Sequence, residues 1–434
     1  MTTVVAILSK RGIAIAADSA VTRRRNSPEH TGVVEKVTKN GNKTIRLSNK
    51  LPICVMVTGN ADFLGNPWDI ILRRYRQEQG DKELDTVKEY VDDLMKYIAG
   101  NDKFWSDKVV SSYVAEKMEA LLGKATQMLP SLLYNQVMDG AFSKSKTIIS
   151  AYIKQLKELR KVRTSPHFDD YGIDTFRVSI KQALDYFFDE NTKNEEECSF
   201  DIKFPREVLD GIRDEFEQTL HAVLLSPNAY EGTELIFTGF GKNQEYPSLV
   251  PVYVNEGIDK HVNYMIGKED NICDTHPVAI CPFAQTDVID AILYGEHNRW
   301  VIDVREEVRR SINEDVFREE EDDDTDIQTL KISALLTNSG SDDGFKKYHK
   351  QQRKKNRLQW EKALKNYDLK AMAALASSLV ELTGFQRILT FQQEGVGGEI
   401  DLAVITKTDG FSWLSRKSWY HHKDVNGSYG SLGI

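Results

Sequence analysis

The chain has 434 residues, 40% hydrophobic and 28% charged, and this composition excludes an intrinsically disordered protein. Its net charge of −9 argues against a general nucleic-acid-binding protein, because such proteins usually carry a basic excess. No stretch reaches the roughly 18 apolar residues of a membrane-spanning helix. The N-terminus does not resemble a signal peptide, and the four cysteines are sparse and unpatterned, so a cytoplasmic protein is expected.

The first sixty residues predict four strands separated by turns. Short β-rich runs alternate with polar or glycine-containing joints, and Gly12 marks a hairpin turn between the first two. The arginine-rich stretch 22–32 is predicted to be a loop. The predicted strands are 3–8, 13–17, 43–47 and 53–59.

From residue 61 the apolar spacing changes to that of amphipathic helices, first over 61–77 and 85–100. Strand patterns return after residue 230. An acidic run and a basic run follow, each typical of a solvated helix face or a loop. The later predicted features are strands at 233–241 and 248–254, a strand entering a helix at 276–296, the acidic run 318–326, the basic run 346–357, a helix at 368–383 and strands within 399–417.

This order of elements predicts an α+β layered fold with antiparallel sheets, enlarged by two helical insertions. The predicted divisions are a first core part (1–100), a helical insertion (101–230), core strands and a helix (231–297), a charged helical insertion (298–366), and a final core helix with strands (367–434).

The N-terminal threonine suggests a specific chemistry. Removal of Met1, which a small second residue permits, would leave Thr2 with a hydroxyl nucleophile and a free α-amino base on one residue. The amine has a reference pKa of about 7.7–8. Such a site also needs a cation, a carboxylate that holds the cation, and backbone N–H groups that stabilise an oxyanion.

The stretch "TTVVAILSKRGIAIAADSAVT" strongly resembles the opening of proteasome β-subunits and of the bacterial ATP-dependent peptidase of the same fold, which are N-terminal nucleophile hydrolases. The match runs without a gap from residue 2 to residue 22. It places Thr2 on the family nucleophile and Asp18 on the carboxylate that holds the catalytic lysine. Lys43 matches that lysine best, with Lys36 and Lys39 as rivals, because the preceding loop is longer here.

The resemblance extends to further positions. In "VMVTGNAD", Gly59 matches the oxyanion donor, with a one-residue ambiguity towards Thr58. Thr22 matches a residue that binds the substrate backbone, and Val21 one that lines a pocket. Ser19 is either a turn residue or part of the same substrate-binding edge. The stretch "GVGGEIDLAVITKTDGF" resembles the strands that close the family's second sheet.

Two accessory positions depart from the family pattern. Gln393 and Val396 stand where the resemblance implies an aspartate and a serine, and Glu394 or Gln285 could substitute for them. The departures weaken the expectation of efficient turnover without removing Thr2, Asp18 and Lys43.

The resemblance implies an N-terminal nucleophile fold, an αββα sandwich of two antiparallel sheets between helical layers. It implies a threonine-type peptidase that uses no metal or cofactor, acts on peptides or proteins, and assembles as a homo-oligomer, with an unfoldase or a dedicated partner on the insertions. Two alternatives remain open: an N-terminal nucleophile amidase acting on a small amide, and an inactive scaffold of the same fold.

One cysteine-histidine spacing is a weak candidate for a metal site. Cys273, His276 and Cys281 form a C-x-x-H-x-x-x-x-C pattern. It lacks the fourth ligand and the paired spacing of structural zinc sites, so no metal is expected there.

Overall fold

The computed structural model describes residues 3–19, 21–26, 33–38, 42–142, 145–162, 165–168, 171–190, 204–226, 232–295, 347, 350–351, 353–389 and 398–416. The strands are β1 (Thr3–Ser9), β2 (Gly12–Ala17), β3 (Val21–Asn26), β4 (Val33–Thr38), β5 (Thr44–Arg46), β6 (Ile53–Gly59), β7 (Asp62–Phe63), β8 (Asn66–Pro67), β9 (Thr233–Gly239), β10 (Ser248–Ile258), β11 (His261–Ile266), β12 (Asp270–Asn271), β13 (Val278–Ala284), β14 (Asp401–Thr406) and β15 (Gly410–Ser415).

The α-helices are α1 (Trp68–Gln79), α2 (Val87–Ala99), α3 (Asp107–Gln127), α4 (Ser131–Met138), α5 (Ser145–Leu159), α6 (Ile173–Glu190), α7 (Arg206–Leu224), α8 (Asp287–Tyr294), α9 (353–364) and α10 (Leu369–Leu389). Short 3-10 turns lie at Asp102–Phe104 and Pro166–Phe168.

The strands form two large antiparallel sheets. The first has the order β13-β1-β2-β14-β15, and the second has the order β11-β10-β9-β6-β5, with β12 paired to β10. Two small hairpins, β3–β4 and β7–β8, lie apart from them. The expectation of a mixed α/β chain with antiparallel sheets is therefore confirmed.

The two large sheets pack face to face through apolar side chains. In β1, Val4, Ala6 and Leu8 belong to the core between the sheets, together with Met56 of β6 and Ile236 of β9. The alternate residues of β1 face the other way, because successive strand residues point to opposite sides of a sheet. Since both faces are covered, β1 and β2 are buried along their whole length.

Helices cover the outer face of each sheet. Val5 and Ile7 of β1 pack in a core that includes residues of α8 and α10. On the other side, Val55 and Val57 of β6 pack in a core shared with α1 and α2. Helix, sheet, sheet and helix thus follow one another as layers.

Helices α3 to α7 bury most of their apolar residues against one another. Their core includes Met118 of α3, Tyr152 of α5, Phe176 of α6 and Phe216 of α7. Ile258, at the end of β10, joins it from the second sheet. The proposed domain boundaries remain a prediction.

Two sequence predictions were wrong in the N-terminal part. Half of the expected loop 22–32 is strand, because Val21–Asn26 pairs with Val33–Thr38 in an antiparallel hairpin. The helix expected from residue 61 begins only at Trp68, and residues 62–67 form the hairpin β7–β8. Proline favours the start of a helix and disrupts its interior, so Pro67 sets this boundary.

Two further differences lie later in the chain. Strands β11 and β12 were not predicted, and both pair with β10. The acidic run 318–326 lies outside the described residues, whereas the end of the basic run belongs to α9. None of the described helices is both long and apolar enough to cross a membrane.

Candidate active site

The first residue of β1 and the residue after β2 form the centre of the candidate site. Val4 pairs with Ala17, and this register brings Thr3 beside Asp18. The Asp18 N–H donates to the Thr3 carbonyl at 3.2 Å, and the Thr3 N–H donates to Asp18 Oδ1 at 3.0 Å. The end of the β1–β2 ladder therefore fixes a buried carboxylate against the backbone of Thr3.

Lys43 reaches the same carboxylate. Its Nζ lies 2.6 Å from Asp18 Oδ1, and the two side chains are 7% and 0% exposed. The Lys43 carbonyl accepts a hydrogen bond from the Val57 N–H at 2.8 Å, which ties the residue before β5 to β6. Burying two charges carries a large desolvation cost, so such a pair needs good geometry and further hydrogen bonds. Here the Thr3 N–H supplies one of them.

Of the two rival lysines, the structure describes only the backbone of Lys36. Lys36 is a backbone partner of Arg23 in the hairpin β3–β4, and Lys39 lies outside the described residues. Of the three candidates, Lys43 is the one for which the structure gives a contact with Asp18.

Ser19 contacts the segment that precedes the strand β14. Its hydroxyl donates to the Glu399 carbonyl oxygen, and the side chain is fully buried. Asp401 pairs with Ala17 in the adjacent ladder. Ser19 therefore anchors the segment before β14, and its role in substrate binding remains a prediction.

The two remaining substrate-binding candidates begin the strand β3. Val21 pairs with Thr38 and Thr22 with Val37. The structure describes their backbone, which pairs in the β3–β4 hairpin and not with β2. Their binding roles remain predictions.

The structure distinguishes Gly59 from its neighbour Thr58. Thr58 is buried, and its hydroxyl donates to Glu234 Oε2 at 3.0 Å. Gly59, at the end of β6, is exposed and has a φ of 79°. A Cβ atom added at Gly59 would lie 2.4 Å from the Gly232 carbonyl oxygen, so the position accepts no side chain. Of the two residues, Gly59 is the one accessible to a bound molecule.

Sequence reasoning missed the polar group around Glu234. Glu234 pairs opposite Thr58, and side-chain hydrogen bonds from Thr58 and Tyr253 reach its carboxylate. Burial raises the pKa of Glu234 above its ordinary value, and these hydrogen bonds oppose the shift. The signal in the sequence was a carboxylate among the apolar residues of "TELIFTG".

Other predicted residues are not described. Thr2, Gln393, Glu394 and Val396 lie outside the described residues. Gln285 follows the last residue of β13, Ala284, which pairs with Thr3. Gln285 is therefore at the same end of the first sheet as Asp18.

A cavity of about 240 Å³ lies along the outer edge of β13. Pro251, Pro282, Tyr294 and Trp360 contribute to its walls, and charged side chains of both signs surround it. Asp18, Lys43 and Gly59 do not line this cavity. The buried ion pair and the cavity are separate features of the molecule.

The three residues of the cysteine-histidine spacing all lie within the described residues. Within the described ranges, no three His, Cys, Asp or Glu side chains are grouped so that they could hold a metal ion. The thiol of Cys281 instead donates to Asp270 Oδ2 at 3.5 Å, and His276 Nε2 lies 3.6 Å from Asp270 Oδ1.

We predict that Cys273 is alkylated faster than Cys54 or Cys281 in the native protein. A hydrogen bond with the Thr275 side chain lowers the pKa of Cys273, whereas burial raises the pKa of the other two thiols. Iodoacetamide labelling followed by peptide mass mapping measures the three rates, and labelling in urea gives the unfolded control. Equal native rates at the three sites would contradict the prediction.

Comparisons with known proteins identify no family. No protein-family model matches the chain, and a search of curated proteins gives no match.

Proposed function

We propose that the protein is a threonine-type hydrolase that cleaves peptide bonds with Thr2 as an N-terminal nucleophile. The observation that carries the proposal is the buried Lys43–Asp18 pair on the N–H of Thr3. One peptide bond separates this N–H from Thr2. The cation and carboxylate that such a nucleophile requires therefore lie beside the residue that follows it.

In the proposed reaction, Thr2 Oγ1 attacks the carbonyl carbon of the scissile peptide bond. The free α-amino group of Thr2 takes the hydroxyl proton, directly or through a water molecule, and later delivers a proton to the leaving amine. The Lys43 ammonium favours the alkoxide, and Asp18 holds it in place. The Gly59 N–H stabilises the oxyanion. Water then hydrolyses the resulting ester and regenerates the threonine.

The surroundings of Lys43 support this role. An exposed lysine gains little free energy from any one ion-pair geometry, so its ammonium group is not held in a fixed position. Lys43 is buried, and its ammonium lies at hydrogen-bond distance from a carboxylate that the β1–β2 ladder already holds. Such a preorganised charge can act on a neighbouring nucleophile without rearrangement.

The proposal is tested by intact mass spectrometry of the protein expressed in its native host, before and after incubation with a threonine-directed epoxyketone. We expect loss of Met1 and one inhibitor adduct. Thr2→Ser keeps a hydroxyl and an amine and should still form the adduct, whereas Thr2→Ala should not. Retention of Met1 without an adduct would contradict the proposal, because the Thr2 nitrogen would then be an amide and not a base.

A further inference from the structure

The hairpin β7–β8 has a turn that its sequence does not favour. Leu64 and Gly65 have φ values of 46° and 72°. Positive φ at both central residues is the pattern of a type I′ turn, which usually takes asparagine, aspartate or glycine at the first of them. A leucine there is strained, so surrounding contacts must hold it. Its side chain is buried in the core between the second sheet and α1 and α2.

Glu256 supplies the polar contact that holds this turn. The register between β10 and β11 shifts between Val254 and Gly257, so Glu256 lies in a bulge of β10. Its carboxylate accepts a hydrogen bond from the Leu64 N–H, across a separation of 192 residues. Bulges commonly redirect a side chain out of the regular alternation of a strand.

The charge of Glu256 is sensitive to pH near neutrality. Burial raises the pKa of Glu256 to about 7, and the hydrogen bond from Leu64 opposes that shift. Asp62 of β7 and Glu116 of α3 raise the pKa further, and Lys117 of α3 lowers it. Because the contact is with a backbone N–H, the ionised carboxylate is the stronger acceptor.

The same bulge and hairpin are connected to Gly59. The Gly232 carbonyl accepts a hydrogen bond from the Asn60 N–H at 2.9 Å and lies against Gly59. Asn255, the neighbour of Glu256, lies against Gly232. A Cβ atom added at Gly232 would be 3.0 Å from Nδ2 of Asn255. Residues 59 to 64 are therefore bounded at one end by Gly232 and at the other by Glu256.

Thr233 and Trp68 also hold this segment, through hydrogen bonds. The Thr233 hydroxyl donates to the Asn60 carbonyl at 2.9 Å, and Trp68 Nε1 donates to Thr233 Oγ1 at 2.7 Å. The Trp68 N–H donates to the Ala61 carbonyl at 3.0 Å. The acceptors of these three hydrogen bonds do not ionise. The contact between Glu256 and the Leu64 N–H at the hairpin tip differs from them, because its strength changes when the Glu256 carboxyl ionises.

We propose that Glu256 is a positioning residue: its ionised carboxylate holds the 60–67 segment and thereby fixes the Gly59 N–H for oxyanion binding. This positioning role rests on the proposed function, because Gly59 has a catalytic role only in the proposed hydrolase mechanism. Ionisation of Glu256 strengthens the contact with Leu64, so the segment is more firmly held at higher pH. Glu256 itself does not touch the reacting atoms.

The test combines two measurements on the full chain. Hydrogen–deuterium exchange of the peptide spanning residues 60–68 reports on the hairpin without any substrate. The rate of epoxyketone labelling at Thr2, followed from pH 5.5 to 8.5, reports on the site. The variants are Glu256→Gln, which keeps an acceptor oxygen but no charge, and Glu256→Leu, which keeps neither. Glu116→Gln is the matched control, since it removes a nearby carboxylate without removing the contact with Leu64.

We expect the ratio of wild-type to E256Q labelling rates to rise about threefold to tenfold between pH 6 and pH 8. The ratio cancels the titration of the Thr2 amine, which both proteins share. In E256L the 60–68 peptide should exchange about tenfold faster than in wild type at pH 8. E116Q should keep the wild-type exchange at pH 8, where Glu256 is ionised in both proteins, and shift the midpoint of its own labelling profile to lower pH.

A flat wild-type to E256Q ratio, together with adducts in both proteins, would overturn the positioning role and leave the hydrolase proposal intact. Unchanged exchange of the 60–68 peptide in E256L would overturn the anchoring contact itself. If wild type forms no adduct, the proposed hydrolase function fails, and with it the oxyanion role, while exchange still decides whether Glu256 holds the hairpin. If E256L does not fold, the E256Q ratio remains decisive.

Discussion

Replacing Asp18 by alanine is expected to lower the free energy of unfolding by about 3–5 kcal/mol, because it leaves a buried charge without its partner. The variant removes the acceptor of both the Lys43 ammonium, at 2.6 Å, and the Thr3 N–H, at 3.0 Å. Thr3 and Lys43 are both buried, so water does not readily replace the lost carboxylate as their hydrogen-bond acceptor. Urea denaturation followed by tryptophan fluorescence measures the loss.

The matched control is an ion pair of similar length at the surface. Lys88 Nζ lies 2.8 Å from Glu269 Oε1, and the two side chains are 52% and 28% exposed. Lys88→Met should change the free energy of unfolding by no more than about 1 kcal/mol, because solvent screens exposed pairs. The double variant Asp18→Asn, Lys43→Met should recover part of the loss, since it removes both charges. A D18A protein as stable as K88M would mean that the Asp18–Lys43 pair is hydrated.

Under the proposed function, D18A also abolishes epoxyketone labelling at Thr2. The Lys43 ammonium would no longer be held against the N-terminal segment. Labelling at the wild-type rate in folded D18A protein would remove Asp18 from the proposed mechanism.

Replacing Gly59 by alanine is expected to cost about 2–4 kcal/mol of stability, because two effects act together. The residue has a φ of 79°, which alanine adopts only with strain, and its Cβ would lie 2.4 Å from the Gly232 carbonyl oxygen. That oxygen already accepts the Asn60 N–H at 2.9 Å, so it cannot move without breaking this bond. Thermal and urea unfolding measure the cost. Alanine keeps the backbone N–H, but the shift that relieves the contact with the Gly232 carbonyl displaces this N–H from the oxyanion, so the labelling rate at Thr2 should fall about tenfold to a hundredfold.

Gly140 separates the two effects. It has a similar φ of 67°, but no atom lies within 4 Å of its added Cβ. Gly140→Ala therefore carries the conformational cost alone, about 1 kcal/mol, and should leave labelling unchanged because α4 and its C-terminal turn are not part of the proposed mechanism. Equal losses of stability in G59A and G140A would show that the Gly232 carbonyl moves away from the new Cβ atom without a cost in free energy.

Local patterns in the sequence were sufficient for much of the framework. Short β-rich apolar runs in β1 and β2 predict a hairpin, and the structure forms it with Lys10 and Arg11 in the turn between the paired residues Ser9 and Gly12. The long apolar periodicity of 368–383 predicts the helix α10. These features depend on neighbouring residues alone, which is why composition and spacing identify them.

Boundaries were less predictable where two local signals competed. Residues 61–67 have apolar spacing compatible with a helix, but they form β7 and β8 because Pro67 precedes the helix and Leu64–Gly65 makes a turn. A leucine with positive φ is not predicted from its neighbours. The contact that holds it comes from Glu256, far along the chain.

The sequence by itself determined which residue types are available to the proposed site: a threonine directly after Met1, a carboxylate after the second strand, and a choice among three lysines. Tertiary structure decided that Lys43 reaches Asp18, because the path between them depends on how β5 joins the second sheet. It also turned the Thr58 hydroxyl towards Glu234 and placed Glu256 on the Leu64 N–H. Residue types and spacing are local properties, whereas these contacts exist only once the two sheets have packed.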